Sequence, residues 1–578
     1  MHRRRTLGFR EPVSIRRPTW IRHAWFWSGG QIPDWRLSAT VAGGPPPRGR
    51  PAEPALGPER QRDDSAVGDD VRLRDVRLRD DTLLRDDVLL LGAGLGLLLV
   101  FALAEWRIAG EAGLPLDDSW IHVRLATNLA RGHGFGINPG EPVAASTAPL
   151  WTLCLATGIA AGLPGLLATK AFGVAAYLLT ALLTRRLARA VGLGRGVALA
   201  AGLGAVGLGR LAWGALSGME VPLAAGLVAA GALAVVRDRP WTGAIAFGLA
   251  TLARPEAGLL IPLHAAGAGR VRTACARAAV AGLVLLPAVG FSLYTVGRVV
   301  PATVAAKVEG GLLGRAEGLP GAWRIGAARA LDYGVEWGRL LLADHWALPA
   351  LALAGPIALR RSRLRWLLLA LLLHPVAVGL LAPYRGPAFQ TGRYSSHLLP
   401  LALVSAAAGL ALLLAAVPTR VGRAAVLAAL GAALLWNLSP AARDYGWGVQ
   451  NINGMQVHLG RWVRGHTPPD AVLAVNDLGA LSYFGERRVL DLMGLATPAI
   501  LPSRREGPAA IARFVETRCP DYLVIFPEWF PELAARADWF RPLARVRLAH
   551  NLVAGAAEMV VYETVWNRGA VTPRRCSP

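Results

Sequence analysis

The chain is poor in charge and nearly devoid of lysine. Only 17% of its 578 residues are Asp, Glu, Lys or Arg, against 53% hydrophobic, a balance that excludes an ordinary soluble protein and is too long for one compact module. Lys170 and Lys307 are its only lysines, so arginine carries the net charge of +23. That bias looks like GC-rich coding and carries no mechanism. A basic total in a membrane chain follows from cytoplasmic anchoring residues and calls for no nucleic-acid partner. Cysteine is scarce as well: Cys154, Cys275, Cys519 and Cys576 have no ligand-type spacing, which argues against a cysteine metal centre and gives only weak support to a Cys519–Cys576 disulfide. A short basic segment followed by a cleavable apolar one is missing, which argues against a standard signal peptide.

Long apolar runs are what the chain does have: Val88–Ala104, Val197–Ala212, Val221–Val236, Ala278–Val296, Trp366–Pro383, His397–Val417 and Ala424–Trp436. Each approaches the length that spans hydrocarbon. They predict a polytopic α-helical membrane protein over residues 88–440. Residues 1–87, rich in Arg, Pro, Gly and Asp and carrying the tandem Val71–Asp75 and Val76–Asp80, show no core-forming period and predict a disordered cytoplasmic tail. From residue 441 to 578 the pattern changes to short β-rich pieces, Ala471–Val475, Arg488–Leu492 and Tyr522–Phe526, alternating with helical stretches such as Ala509–Thr517. This predicts a soluble α/β domain.

Arginine clusters at 185–195, 237–239, 270–277, 360–365 and 420–423 all read as cytoplasmic. One assignment with the N-terminus inside satisfies them. It requires Trp151–Thr184 to cross once, and Trp241–Ala268, broken at Arg254-Pro255-Glu256, to enter and return. Loops 105–149, 217–222, 298–345 and 384–396 then share the outer side with residues 441–578.

Polar residues on that side are the candidates for chemistry. Pro115 can start a helix whose first turn holds Asp117 and Asp118, where the helix dipole favours ionised carboxylates. Asp118 and His122, four apart, share one face; Asp117 and Arg124, seven apart, share another. Glu220 stands at a helix entrance, and Arg254 and Glu256 interrupt an apolar segment, where ionisable groups are costly unless they pair, face water or serve a substrate. Lys307 is a point cation suited to a phosphate leaving group, Arg393 a bidentate donor beside Tyr394, and Asp477 follows a strand at the end where α/β folds place ligand contacts. Helix capping, mutual ion pairing and an ordinary turn are the competing structural explanations.

In order along roughly residues 88–505, the segments Asp117–Arg124 with Asn128, Gly132–Gly134, Asn138–Glu141, Ala148–Trp151, Ser217–Glu220, Leu252–Glu256, Pro301–Thr303 with Lys307, Gly392–Tyr394, Asn476–Gly479 and Asp491–Gly494 resemble the bacterial GT-C glycosyltransferases that use polyprenyl-phosphate sugars. These include actinobacterial arabinofuranosyltransferases and, more remotely, protein mannosyltransferases. The resemblance implies a multi-pass enzyme of the cell inner or plasma membrane. Its first outer loop would supply an aspartate, Asp117 first and Asp118 as partner, that deprotonates the acceptor hydroxyl. Inverting displacement of a lipid phosphate then moves a pentosyl or hexosyl group to an extracytoplasmic glycan, lipid or protein. His122, Arg124, Glu220, Arg254, Glu256, Lys307, Arg393, Tyr394 and Asp477 become substrate-binding candidates. Adjacent carboxylates favour a divalent ion, Mg or Mn, on Asp118 and His122, whose charge Arg124 could replace. Residues 142–148 lack the tyrosine and asparagine the family often shows there. The opposing expectation is a transporter or lipid flippase lined by Arg254 and Glu256, which the lack of an internal repeat disfavours.

Overall fold

A backbone in hydrocarbon must satisfy its N–H and C=O groups internally, so the apolar runs fold as helices. The computed structural model describes residues 65–304, 322–381 and 386–567; Lys307, Cys576 and residues 1–64 of the expected tail lie outside the described residues. Contacts divide the chain into Met1–Arg72 and Leu73–Pro578, and the spans, the sheet and the cavities all belong to the second unit. Five of the described helices are long and apolar enough to cross a bilayer: Leu84–Ala109, Gly165–Ala190, Val271–Val296, Phe389–Ala416 and Arg420–His466. Counting two bent pairs as spans, Arg195–Gly207 with Gly209–Leu216 and Ala327–Asp344 with Leu348–Leu359, raises this to seven.

Charge pins one face of the bundle. Asp86, at the start of the first span, accepts from Arg185 (3.0 Å) and from Arg195 (2.9 Å), and Asp87 accepts from Arg185 (2.9 Å). The N-terminal end of that span and the Arg185–Arg195 cluster therefore share a side, as the charge pattern requires. Asp86 and Arg185 are buried, and removing one partner of a buried pair strands the other. Asp86→Ala is expected to cost about 3–5 kcal/mol, read as a lower melting temperature in detergent; an unchanged one would exclude the anchor.

The segment after Arg239 does enter and return. Helix Pro240–Ala253 stops at Arg254, whose backbone is extended ahead of Pro255, and a 3-10 turn (Pro255–Leu259) and helix Leu260–Ala266 lead back. His264 Nε2 ends 2.9 Å from the Pro240 carbonyl. The expected loop 298–345 is different, because Ala322–Asp344 is a helix. Its charges interrupt the apolar pattern, but Asp344 pairs with the buried Arg210 and Glu336 accepts from Ala388 N at 2.8 Å, so the helix keeps them in place.

The C-terminal domain is an α/β unit with strands β1 (Val472–Val475), β2 (Arg488–Asp491), β3 (Tyr522–Ile525), β4 (Phe540–Arg547) and β5 (Glu558–Thr564). The order is β2-β1-β3-β5-β4, with β1 parallel to β2 and β3, and β5 antiparallel to β3 and β4. The three expected strands are there; the β4–β5 hairpin was not anticipated. Pro542, Arg541, Arg545 and Arg547 disguise β4, an edge strand bulged between Pro542 and Ala544. Cys154 and Cys275 are free and Cys519 is disulfide-bonded.

Helix Asp117–Ala130 joins this domain to the bundle. Ile121 and Leu125 pack in one core with Leu459, Leu473, Val475 and Val524. The loop after it is tied to the sheet edge, since Asn138 exchanges hydrogen bonds with Val489 N and O at 2.9 and 3.0 Å.

Candidate active site

Helix Asp117–Ala130 also borders a cavity of about 460 Å³, which Ile121 lines as well. Asp118 and His122 line it, as their four-residue spacing predicts, together with Glu220, Arg254, Glu256, Arg393 and Tyr394. Seven residues from four separate stretches of sequence thus meet in one place.

Local backbone explains how each arrives. The turn carrying Glu220 is held from two sides, by Ser119 Oγ donating to Ser217 O at 2.7 Å and by Trp151 Nε1 donating to Gly218 O at 2.9 Å. Gly218 has φ +79°, and a Cβ there would lie 2.9 Å from Ser119 Cβ, so only glycine fits. Arg254 reaches Glu220 from the break in its helical hairpin, and its Nε lies 3.2 Å from Glu256 Oε2. Gln390 and Thr391, at φ +49° and +60°, turn the chain so that Arg393 points inward. Its Nη2 donates to Asp118 Oδ2 at 2.5 Å and to Tyr394 Oη at 3.3 Å. The Tyr394 ring lies 4.7 Å from the Arg254 guanidinium carbon and 5.1 Å from that of Arg393, in cation–π range of both. His122 Nδ1 lies 3.0 Å from Thr152 Oγ1, and its Nε2 is 3.8 Å from Glu220 Oε2.

Asp117 turns the other way. Its Oδ2 and Oδ1 accept from the backbone N–H groups of Gly479 and Ala480 at 2.7 and 2.8 Å, which clamps the α/β domain to the helix. Gly479 is indispensable to that approach, because a Cβ on it would stand 2.0 Å from the Asp117 carbonyl oxygen. Burial pushes the Asp117 carboxyl up to about 6; the amides of Ala480 and Gly479 pull it down and Asp118 adds a further push upward. Asp477 lies behind it, accepts from Gln456 Nε2 at 2.8 Å, and is raised well above the usual carboxylate range by burial and by Asp117. Arg124 also leaves the cavity, donating to Ile137 O at 3.1 Å to hold the loop before Asn138. Of the expected set, Asp117, Arg124 and Asp477 therefore do not line the cavity.

A raised carboxyl takes up a proton on folding between the ordinary pH of about 4 and its folded value, so its share of stability is present at low pH and lost as pH rises to about 6. Relative to Asp117→Asn, which cannot titrate, the wild type is expected to lose melting temperature across that window. A constant difference across it would show that Asp117 does not titrate there.

Ser146, Thr147, Thr303 and His374 also line the cavity and were not among the expected site residues. His374 could have been found by the rule that singled out Arg254, as an ionisable group inside an apolar run. Among the described residues, Thr303 Oγ1, His374 Nε2 and Arg393 Nε are buried without a hydrogen-bond partner. Such atoms are costly unless something polar meets them. No group of three His, Cys, Asp or Glu able to hold a metal ion exists among the described residues. Asp118 and His122 therefore do not belong to a three-ligand site among the described residues.

The comparisons with known proteins fit this architecture. A domain family of unknown function (DUF8728) matches residues 450–565. No curated protein matches the sequence. ArnT from Cupriavidus metallidurans in the apo state is similar in structure, at TM-score 0.50 and 12% identity, over 82% of this chain and 97% of that one. The chain has a GT-C-type fold. The same ArnT bound to undecaprenyl phosphate gives 0.49 and 13% over the same shares. An Archaeoglobus fulgidus oligosaccharyltransferase tethered with an acceptor peptide gives 0.46 and 14%, over 75% of this chain and 68% of that one. Within the GT-C-type fold, the cavity lies where the helical bundle meets the α/β domain.

Proposed function

We propose that this protein is an integral-membrane glycosyltransferase that moves a sugar from a polyprenyl-phosphate donor to a glycan, lipid or protein acceptor on the outer side of the inner or plasma membrane. The observation that carries this reading is the convergence of Asp118, His122, Glu220, Arg254, Glu256, Arg393 and Tyr394 on one cavity. Buried polar atoms without partners there suit a polar substrate. The GT-C-type fold shared with ArnT supports it.

In this reading Asp118, not Asp117, is the general base. It faces the cavity, whereas both oxygens of Asp117 are committed to backbone amides. The acceptor hydroxyl attacks the anomeric carbon and passes its proton to Asp118. The bond from that carbon to the phosphate oxygen breaks on the opposite side, and the lipid phosphate leaves with the electron pair, inverting the centre. Arg393 and Arg254 stabilise the charge that gathers on the departing oxygen.

Charge counting bears on a metal. The described lining holds three carboxylates (Asp118, Glu220, Glu256) and two guanidiniums (Arg254, Arg393) before an anionic donor enters. One further cation would offset the two net negative charges left once a phosphodiester donor is bound, a divalent ion in full and Lys307 by half. Purified protein should transfer labelled sugar from one member of a panel of pentosyl and hexosyl polyprenyl phosphates. If a divalent ion is that cation, chelation abolishes transfer; if Lys307 is, transfer survives chelation and falls in Lys307→Ala. No transfer with any donor, alongside movement of lipid or solute, would replace this reading with transport.

A further inference from the structure

A second concavity lies on the α/β domain, apart from the catalytic cavity. It is a groove of about 340 Å³ formed by the segments that come after β2 and β3, and it is lined by Met493, Arg504, Ile511, Trp529, Phe530 and Glu532 among others. These are the carboxyl ends of parallel strands, where α/β sheets commonly bind ligands.

Three features define what fits it. The first is a fixed aromatic platform. Trp529 is 37% exposed, yet its indole N–H donates to Gly555 O at 3.1 Å and its ring packs edge-on against Phe526 at 5.3 Å. Gly555 permits this, since a Cβ there would be 2.6 Å from the indole. The ring is therefore held before any ligand arrives, which lowers the entropy lost on binding. The second feature is charge. The groove carries one arginine and one carboxylate and so offers no net attraction to a phosphate or an acidic chain, but it does offer a forked donor and a two-oxygen acceptor for hydroxyl groups. Arg504 is positioned by its own bond to the Met493 carbonyl. The third is continuity. Asp491 accepts from Met493 N at 2.8 Å and from Ala496 N at 2.7 Å, fixing a short loop whose Met493 lines the groove and whose Leu495 lines the catalytic cavity.

A neutral ligand with one apolar face and many hydroxyls answers all three. We infer that this groove binds a neutral saccharide and holds an acceptor glycan while its end enters the cavity. The groove stands on its own geometry; its role as acceptor site rests on the transferase reading. It narrows the acceptor class to a carbohydrate chain.

Saturation-transfer NMR on the full chain, in nanodiscs or a detergent without a sugar headgroup, tests it against short neutral oligosaccharides. Transfer to sugar ring protons is expected in the wild type and unchanged in Asp118→Asn. It should vanish in Trp529→Ala, with affinity about tenfold weaker in Glu532→Gln; because Glu532 is exposed, that variant stays informative if Trp529→Ala misfolds. In turnover, Glu532→Gln should raise the acceptor KM with kcat little changed. No saccharide binding by the wild type, equal binding by all variants, or preferential binding of a peptide at these residues would overturn the groove. Saccharide binding that depends on Trp529 in a protein that transfers nothing would leave the groove standing and remove the transferase reading.

Discussion

Asp118→Asn is expected to lower sugar transfer by about 10²–10⁴-fold, the usual contribution of a general base, in a protein that stays folded. Asparagine fills the same space and can still accept from Arg393, but it cannot take the hydroxyl proton. Asp117→Ala makes the contrast. It strands the amides of Gly479 and Ala480, at about 1–3 kcal/mol each, so its main effect should be a lower melting temperature, with turnover retained by the folded fraction. A carboxyl pushed up to about 6 has the more suitable acidity for a base near neutrality. Reach decides otherwise: both Asp117 oxygens are bound to backbone and the residue is 8% exposed, whereas the Asp118 side chain is 34% exposed at the cavity. Loss of turnover in folded Asp117→Asn together with an active Asp118→Asn would return the base to Asp117. The measurement is initial-rate transfer beside thermal unfolding of each variant.

Arg393→Lys should cost about 10²–10³-fold in kcat, the range seen when a preorganised donor to developing charge is removed. Lysine keeps the positive charge but loses the planar fork. In the wild type that fork reaches Asp118 and Tyr394, and the guanidinium borders the same tyrosine ring as Arg254. A point cation cannot hold the carboxylate, border the ring and meet the phosphate together. Because charge is conserved, Asp118 is not left alone beside Glu220, and the fold should survive. Single-turnover transfer at saturating donor isolates the effect. A rate within a few-fold of wild type would show that charge alone suffices there and would remove Arg393 from the chemistry.

Much of this site was legible in the sequence because hydrocarbon makes ionisable residues conspicuous. Glu220, Arg254, Glu256 and Arg393 stood out as groups that an apolar segment or a helix entrance tolerates only with a partner or a ligand, and each lines the cavity. The division of Asp118 and His122 from Asp117 and Arg124 followed from helical spacing. Helical spacing did not say which face would meet substrate. That depended on Gly479 and Ala480, hundreds of residues later, whose amides hold both Asp117 oxygens and leave Asp118 to face the cavity. Helix Ala322–Asp344 was hidden by charges whose partners, Arg210 and the Ala388 amide, are remote in sequence. His374 was passed over within an otherwise ordinary apolar run.

Sequence alone determined that the chain crosses a membrane repeatedly, that its first span starts beside the Arg185–Arg195 cluster, that residues 240–266 turn back on themselves, and that a small α/β domain succeeds the bundle. Those properties arise from local composition and period, which act wherever the segment lies. Tertiary structure alone decided which of two adjacent aspartates faces the cavity and which clamps a domain. The two differ only in surroundings: for Asp117, two backbone amides brought within 2.8 Å by a strand–helix turn more than 350 residues away; for Asp118, an arginine fork and open space.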